Sequence, residues 1–136
     1  MRNEIFDMFN AYKIVPESIE RAEKRMGISI PKDLLKLYTE IGYGFVINQE
    51  GAINRLMDPE TCADIRLRED IYKFDPDLEL YSNYEIDKLI FFEVNEGVYL
   101  QIGIEDNKIY YLDEIIANSL EEFIKNISKN PDYWCE

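Results

Sequence analysis

The residues of this chain that can do chemistry are carboxylates, tyrosines and two thiols; it has no histidine. Without imidazole there is no Ser-His or Cys-His dyad, no histidine-ligated zinc and no ordinary general base near neutral pH. Cys62 and Cys135 have no second pair to complete a four-thiolate site, and two cysteines make a poor disulfide framework. They read as free thiols. Gly42-Tyr43-Gly44 is a fragment of neither a phosphate-binding loop nor a dinucleotide fingerprint, and reads as a helix stop plus a turn. The carboxylate pairs Glu69-Asp70 and Asp75-Pro76-Asp77 are of the kind that binds a divalent cation or runs glycosidic acid/base chemistry. Acids are so abundant, however, that a pair alone singles out nothing, and no neighbouring residue marks one as buried. The expectation is a solvated acidic loop, with no catalytic residue, no metal and no cofactor.

The same acids are informative as a charge distribution. The 136 residues carry 15 basic and 28 acidic side chains, a net charge of −13. Such a surface repels phosphate, which argues against direct binding of nucleic acid or of an anionic membrane. It suits a basic protein partner, whose approach the field would steer, although acidic proteins are also common simply for solubility. Residues 1–40 balance at seven basic and seven acidic, so the whole excess, 8 against 21, falls in 41–136. An excess confined to part of the chain can make one negative face.

The elements that must position this face come from periodicity. Residues 87–113 read as three strands, Leu89 to Val94, Val98 to Ile104 and Ile109 to Leu112, joined by turns at Asn95-Glu96-Gly97 and Glu105-Asp106-Asn107, with alternation clear in the second. Val98, Leu100, Ile102 and Ile104 point one way, and that greasy face must be covered. Helical segments supply the cover. Pro16 opens one that Gly27 ends; Pro31 opens the next, with Leu34, Leu35, Leu37, Tyr38 and Ile41 apolar and Gly42 as its stop. Asp58-Pro59 starts a helix over Glu60 to Leu67, and Ser119-Leu-Glu-Glu122 is a capping box opening a terminal helix. Asn3 to Tyr12 reads as a short helix, Tyr43 to Ile47 and Ile53 to Leu56 as short strands, and Arg68 to Tyr84 as loop. Trp134, in the tail, is expected either pinned on the body or exposed. The result is α+β: a mostly antiparallel sheet with helices packed against it, in a single domain over 1–136. The start lacks an apolar signal core and no apolar run is long enough to span a bilayer, so the cytoplasm is the expected location.

Within this order, Ile19 to Gly44, IERAEKRMGISIPKDLLKLYTEIGYG, resembles the opening motif of the SUKH superfamily, which includes the yeast cell-wall synthesis regulator family and many bacterial immunity proteins. Ile53 to Pro59, Phe92 to Ile102 and Ala117 to Ile127 resemble its later strand and Asp-Pro helix start, its Gly-containing hairpin and its closing helix. The match covers about 17–127. The order and spacing of these motifs carry the resemblance. The resemblance implies an α+β domain without a catalytic set and, for bacterial members, an antidote that binds and blocks a cognate polymorphic toxin, in some cases a nuclease. It transfers no binding residue, because the toxin-reading surfaces of this family differ most.

From the residues, the expected partner face is Glu69, Asp70, Asp75, Asp77, Glu79, Glu85 and Asp87, with Tyr72, Tyr81 and Tyr84 as anchors and Glu93 and Glu96 as second choices. Its occupant would be a basic toxin domain. Two other readings stay open: a regulatory or scaffold module binding an endogenous protein, and a small carboxylate enzyme acting on polysaccharide.

Overall fold

In the computed structural model, which describes residues 5–47, 49 and 51–135, an antiparallel sheet runs in chain order with neighbouring strands paired throughout. Its strands among the described residues are β1 (Phe9–Tyr12), β2 (Tyr43–Val46), β3 (Arg55–Leu56), β4 (Lys88–Asn95), β5 (Val98–Gly103), β6 (Ile109–Tyr111) and β7 (Glu114–Ala117). Helices α1 (Pro16–Met26) and α2 (Lys32–Glu40) lie between β1 and β2 in sequence. Helix α3 (Pro59–Leu67) follows β3, and α4 (Leu120–Lys129) follows β7. The architecture is α+β, as the segregated strands and tight turns imply. Among the described residues no helix is long and apolar enough to cross a membrane.

The helix ends follow local chemistry. Pro16 occupies the first turn of α1, and Gly27, at φ 71°, closes it by donating its N–H to the Glu23 carbonyl. Ser119 accepts the Glu122 N–H at 3.1 Å while the Glu122 carboxylate accepts the Asn118 N–H at 3.0 Å, a variant of the capping box one residue wider. Asp58 caps α3, accepting the Thr61 N–H at 3.3 Å and the Thr61 hydroxyl at 2.5 Å. Asp58→Ala is therefore expected to cost about 1 kcal/mol, read as a lower urea midpoint with an unchanged slope.

Two local expectations were overridden by pairing. Residues 9–12 are a strand rather than a helix, in register Phe9 with Val46 through Tyr12 with Tyr43; Asn3 and Glu4 of the expected helix lie outside the described residues. The glycines explain the close approach. A Cβ on Gly42 would overlap the Tyr12 carbonyl oxygen, and one on Gly44 the Asn10 carbonyl oxygen. Both also have positive φ, 121° and 147°. Gly44 thus serves a strand pairing, which corrects its reading as part of a helix stop and turn. Strand β7 was not anticipated. The chain leaves β6 at Leu112, with φ 59°, and returns as an edge strand.

The sheet is covered on both sides at its centre. On the inner side, Leu56, Phe92 and Leu100 are cross-strand neighbours. A bulge between Ile90 and Phe92 inserts Phe91 as an extra residue, and both Phe91 and Phe92 meet Phe123 of α4, with ring centroids 5.9 and 5.0 Å away. Helix α2 joins α3 through the buried Tyr38, whose hydroxyl donates to the Met57 carbonyl at 2.5 Å and lies 3.4 Å from Cys62 Sγ. Helix α1 is tied to α3 by Arg21 to Glu60 and by Arg25 to Asp64. Trp134 is pinned edge-on against Tyr111, with ring centroids 5.1 Å apart.

Candidate functional site

The outer side of the central strands is covered by residues 70–84, the segment expected to be loop. It forms two runs of 3₁₀-helix, Asp70–Tyr72 and Pro76–Tyr84. A 3₁₀-helix has three residues per turn, so side chains three apart stack on one side. Burial follows that period. Tyr72, Leu78 and Tyr81 are buried and Asp75 and Tyr84 half-buried, whereas Ile71, Phe74, Asp77, Leu80, Asn83 and Ile86 are all exposed.

The buried side is fastened to the sheet by polar contacts as well as by area. The Tyr99 backbone N–H donates to the Tyr81 hydroxyl at 2.8 Å, with the two rings edge-on at 5.7 Å. Gln101 Nε2 donates to the Tyr84 carbonyl at 3.3 Å. Burial pushes the Tyr81 hydroxyl up to about 12, so it stays protonated and neutral. Tyr72 and Tyr81, expected as partner anchors, are therefore inside the fold at 8% and 1% exposure. The pattern is inverted because a tyrosine can bury its ring and still satisfy its hydroxyl, as Tyr81 does on β5.

The acids divide in the same way. Glu85 is an internal partner: Arg68 donates two hydrogen bonds to its carboxylate, at 2.8 and 3.3 Å, and also donates to the Leu78 and Ile65 carbonyls. Burial raises the Glu85 pKa even against that pairing. Glu69 joins Arg25 at 2.8 Å, tying the start of the segment to α1, and Asp87 pairs with its neighbour Lys88 at 3.0 Å. Asp75 is half-buried and caps the second 3₁₀ run by accepting the Asp77 N–H at 3.0 Å. Glu93 pairs with Arg55 at 3.2 Å across β3 and β4, and burial raises its pKa too. Asp70, Asp77 and Glu79 remain as exposed carboxylates on the segment, and Glu96 is exposed at the hairpin.

Sequence reasoning missed the other half of this surface. Ile71, Phe74, Leu80 and Ile86 are 78%, 87%, 55% and 88% exposed, although isoleucine, phenylalanine and leucine are ordinarily core residues. The three-residue spacing of Tyr72, Leu78, Tyr81 and Tyr84 was the available signal. The segment as a whole holds seven carboxylates and one lysine over 69–87, and that lysine, Lys73, sits 5.5 Å over the Phe74 ring.

For catalysis the described residues offer little. Burial pushes the Cys62 thiol up to about 12, which leaves essentially no thiolate near neutral pH. Among the described residues no three acids or cysteines are grouped to hold a metal ion.

A sheet meandering in strict chain order, helices on its inner side and an acidic 3₁₀ cover on its outer side define a small α+β module. The chain belongs to the SUKH family: residues 16–124 match the SUKH_6 family model, described as SMI1-KNR4 cell-wall. It is 41% identical over 128 residues to a Bacillus subtilis (strain 168) protein named Immunity protein YxxD, an alignment covering 92% of this chain and 87% of that protein. No solved structure gives a significant match.

Proposed function

We propose that the chain is a non-catalytic cytoplasmic immunity protein that binds a cognate toxin domain and blocks it. The observation that carries this reading is the 41% identity, over nearly the whole chain, to a protein named as an immunity protein. The charge supports a finer reading of the partner. A face presenting Asp70, Asp77 and Glu79, on a chain of net charge −13, favours a basic toxin domain. A nuclease fits that description, because its substrate-binding surface must itself attract phosphate. The same charge disfavours direct contact between this chain and nucleic acid.

The test is co-expression with a toxin domain sought among the genes neighbouring this chain's own, followed by co-purification and rescue of growth. A variant combining Asp70→Asn, Asp77→Asn and Glu79→Lys removes four units of negative charge from the segment. It is expected to slow association about 10- to 100-fold at low salt and to flatten the salt dependence of the on-rate. An unchanged on-rate would remove this segment from the interface. Failure of the unmodified chain to bind or protect would remove the immunity role itself.

A further inference from the structure

We infer that the exposed apolar stripe Ile71, Phe74, Leu80 and Ile86 is the contact that holds the partner, which must present apolar sockets set among cationic side chains. The inference rests on the immunity reading above and assigns the stripe a task different from that of the acids. Four large apolar side chains, each more than half exposed within one sixteen-residue stretch, are a costly surface for a protein to leave in water. The fold does not require them outside. The segment is already fastened by Tyr72, Leu78 and Tyr81 on its buried side, so the outward set contributes little to that attachment.

The interleaved charges choose the occupant. Asp70, Asp77 and Glu79 alternate with the apolar residues, and Lys73 is the segment's lone cation. A second copy of this chain would bring the same acids against them, and like charges placed face to face in a desolvated contact cost several kcal/mol. A basic partner meets both features at once. Its cations pair with the acidic flanks, while Phe74 and Leu80 fill apolar sockets between them. Desolvated apolar anchors are lost mainly through the dissociation rate, and rim charges mainly through the association rate.

The experiment measures binding kinetics of the toxin domain sought among the neighbouring genes against Ile71→Ser, Phe74→Ser, Leu80→Ser and Ile86→Ser. Phe45→Ser, at the exposed β1–β2 end of the sheet, serves as the control. Thermal melts establish that each variant folds; exposed positions should melt close to the unmodified chain. Phe74→Ser and Leu80→Ser are expected to dissociate at least about tenfold faster with little change in on-rate or salt dependence. Unchanged dissociation across all four stripe variants, with association still slowed by the charge variant, would overturn the stripe while leaving the immunity role standing. So would faster dissociation from Phe45→Ser alone. A concentration-dependent dimer of the isolated chain, abolished by Phe74→Ser, would assign the stripe to self-association and overturn the inference. If the unmodified chain does not bind the toxin domain, the underlying reading fails and the stripe assignment falls with it.

Discussion

Phe123→Ala is expected to destabilise the fold by about 3–5 kcal/mol, the range for deleting a buried phenylalanine ring. Phe123 is fully buried and stands where α4 closes over the sheet, touching Phe91 and Phe92 edge-on and Tyr133 at a ring distance of 6.3 Å. The bulge that turns Phe91 toward Phe92 exists in the backbone, so the sheet cannot slide to fill the space the ring leaves. The upper part of the range is accordingly the expected one, because cost grows with the cavity that fails to collapse. Denaturant unfolding checks it: the midpoint should fall sharply with little change in slope. A loss below about 1 kcal/mol would mean that α4 repacks freely and that the three rings are not a rigid unit.

The second large effect is electrostatic. Arg68 sits at φ 53° just past α3, where its guanidinium serves Glu85 and the Leu78 and Ile65 carbonyls together. Arg68→Ala would leave a carboxylate of 14% side-chain exposure without its partner, and is expected to cost about 2–3 kcal/mol, discounted because Arg68 is itself partly exposed. The pH dependence has a definite sign. Burial already holds the Glu85 pKa above its ordinary 4.5, so the folded state binds this proton more tightly than the unfolded chain does. That contribution is fully present below 4.5 and lost as pH rises through the folded value. Without Arg68 the folded value rises further, so the variant's deficit should shrink between pH 7 and pH 4. Arg68→Met combined with Glu85→Leu should recover part of the loss, since no buried carboxylate is left unpaired, while Arg66 then keeps only its Glu85 and Lys88 carbonyl contacts. A deficit independent of pH would mean that Arg68 acts through its two carbonyl contacts alone. Because this ion pair anchors the end of the acidic segment, any loss of binding to the proposed partner in Arg68→Ala would report disorder of the segment rather than a direct contact.

Much of the fold was legible because its signals are local. The Pro16 and Gly27 ends of α1, the Asp58 and Ser119 caps and the alternation of β5 each depend on residues within one or two turns. Strands β1 and β7 were not legible, because a four-residue strand is stabilised by what it pairs with. Residues 9–12 have an apolar content compatible with a helix. The sequence-distant β2, with glycines that admit close backbone approach, makes them a strand. The candidate site divides along the same line: its acidity was plain in composition, but the allocation of each acid was not. Glu69 and Glu85 have cationic partners that the fold brings to them and Asp87 has its chain neighbour Lys88, leaving Asp70, Asp77 and Glu79 as exposed carboxylates.

Composition and order alone established an α+β chain, acidic in its later part, lacking histidine chemistry and carrying the motifs of its family. Those properties need only residue type and short-range spacing. Which side of the 70–84 segment meets water was decided by the tertiary fold. A 3₁₀ run has little intrinsic preference for one side, and β5 chose it by offering the Tyr99 N–H to a tyrosine hydroxyl. That choice buried the tyrosines and turned Ile71, Phe74, Leu80 and Ile86 outward.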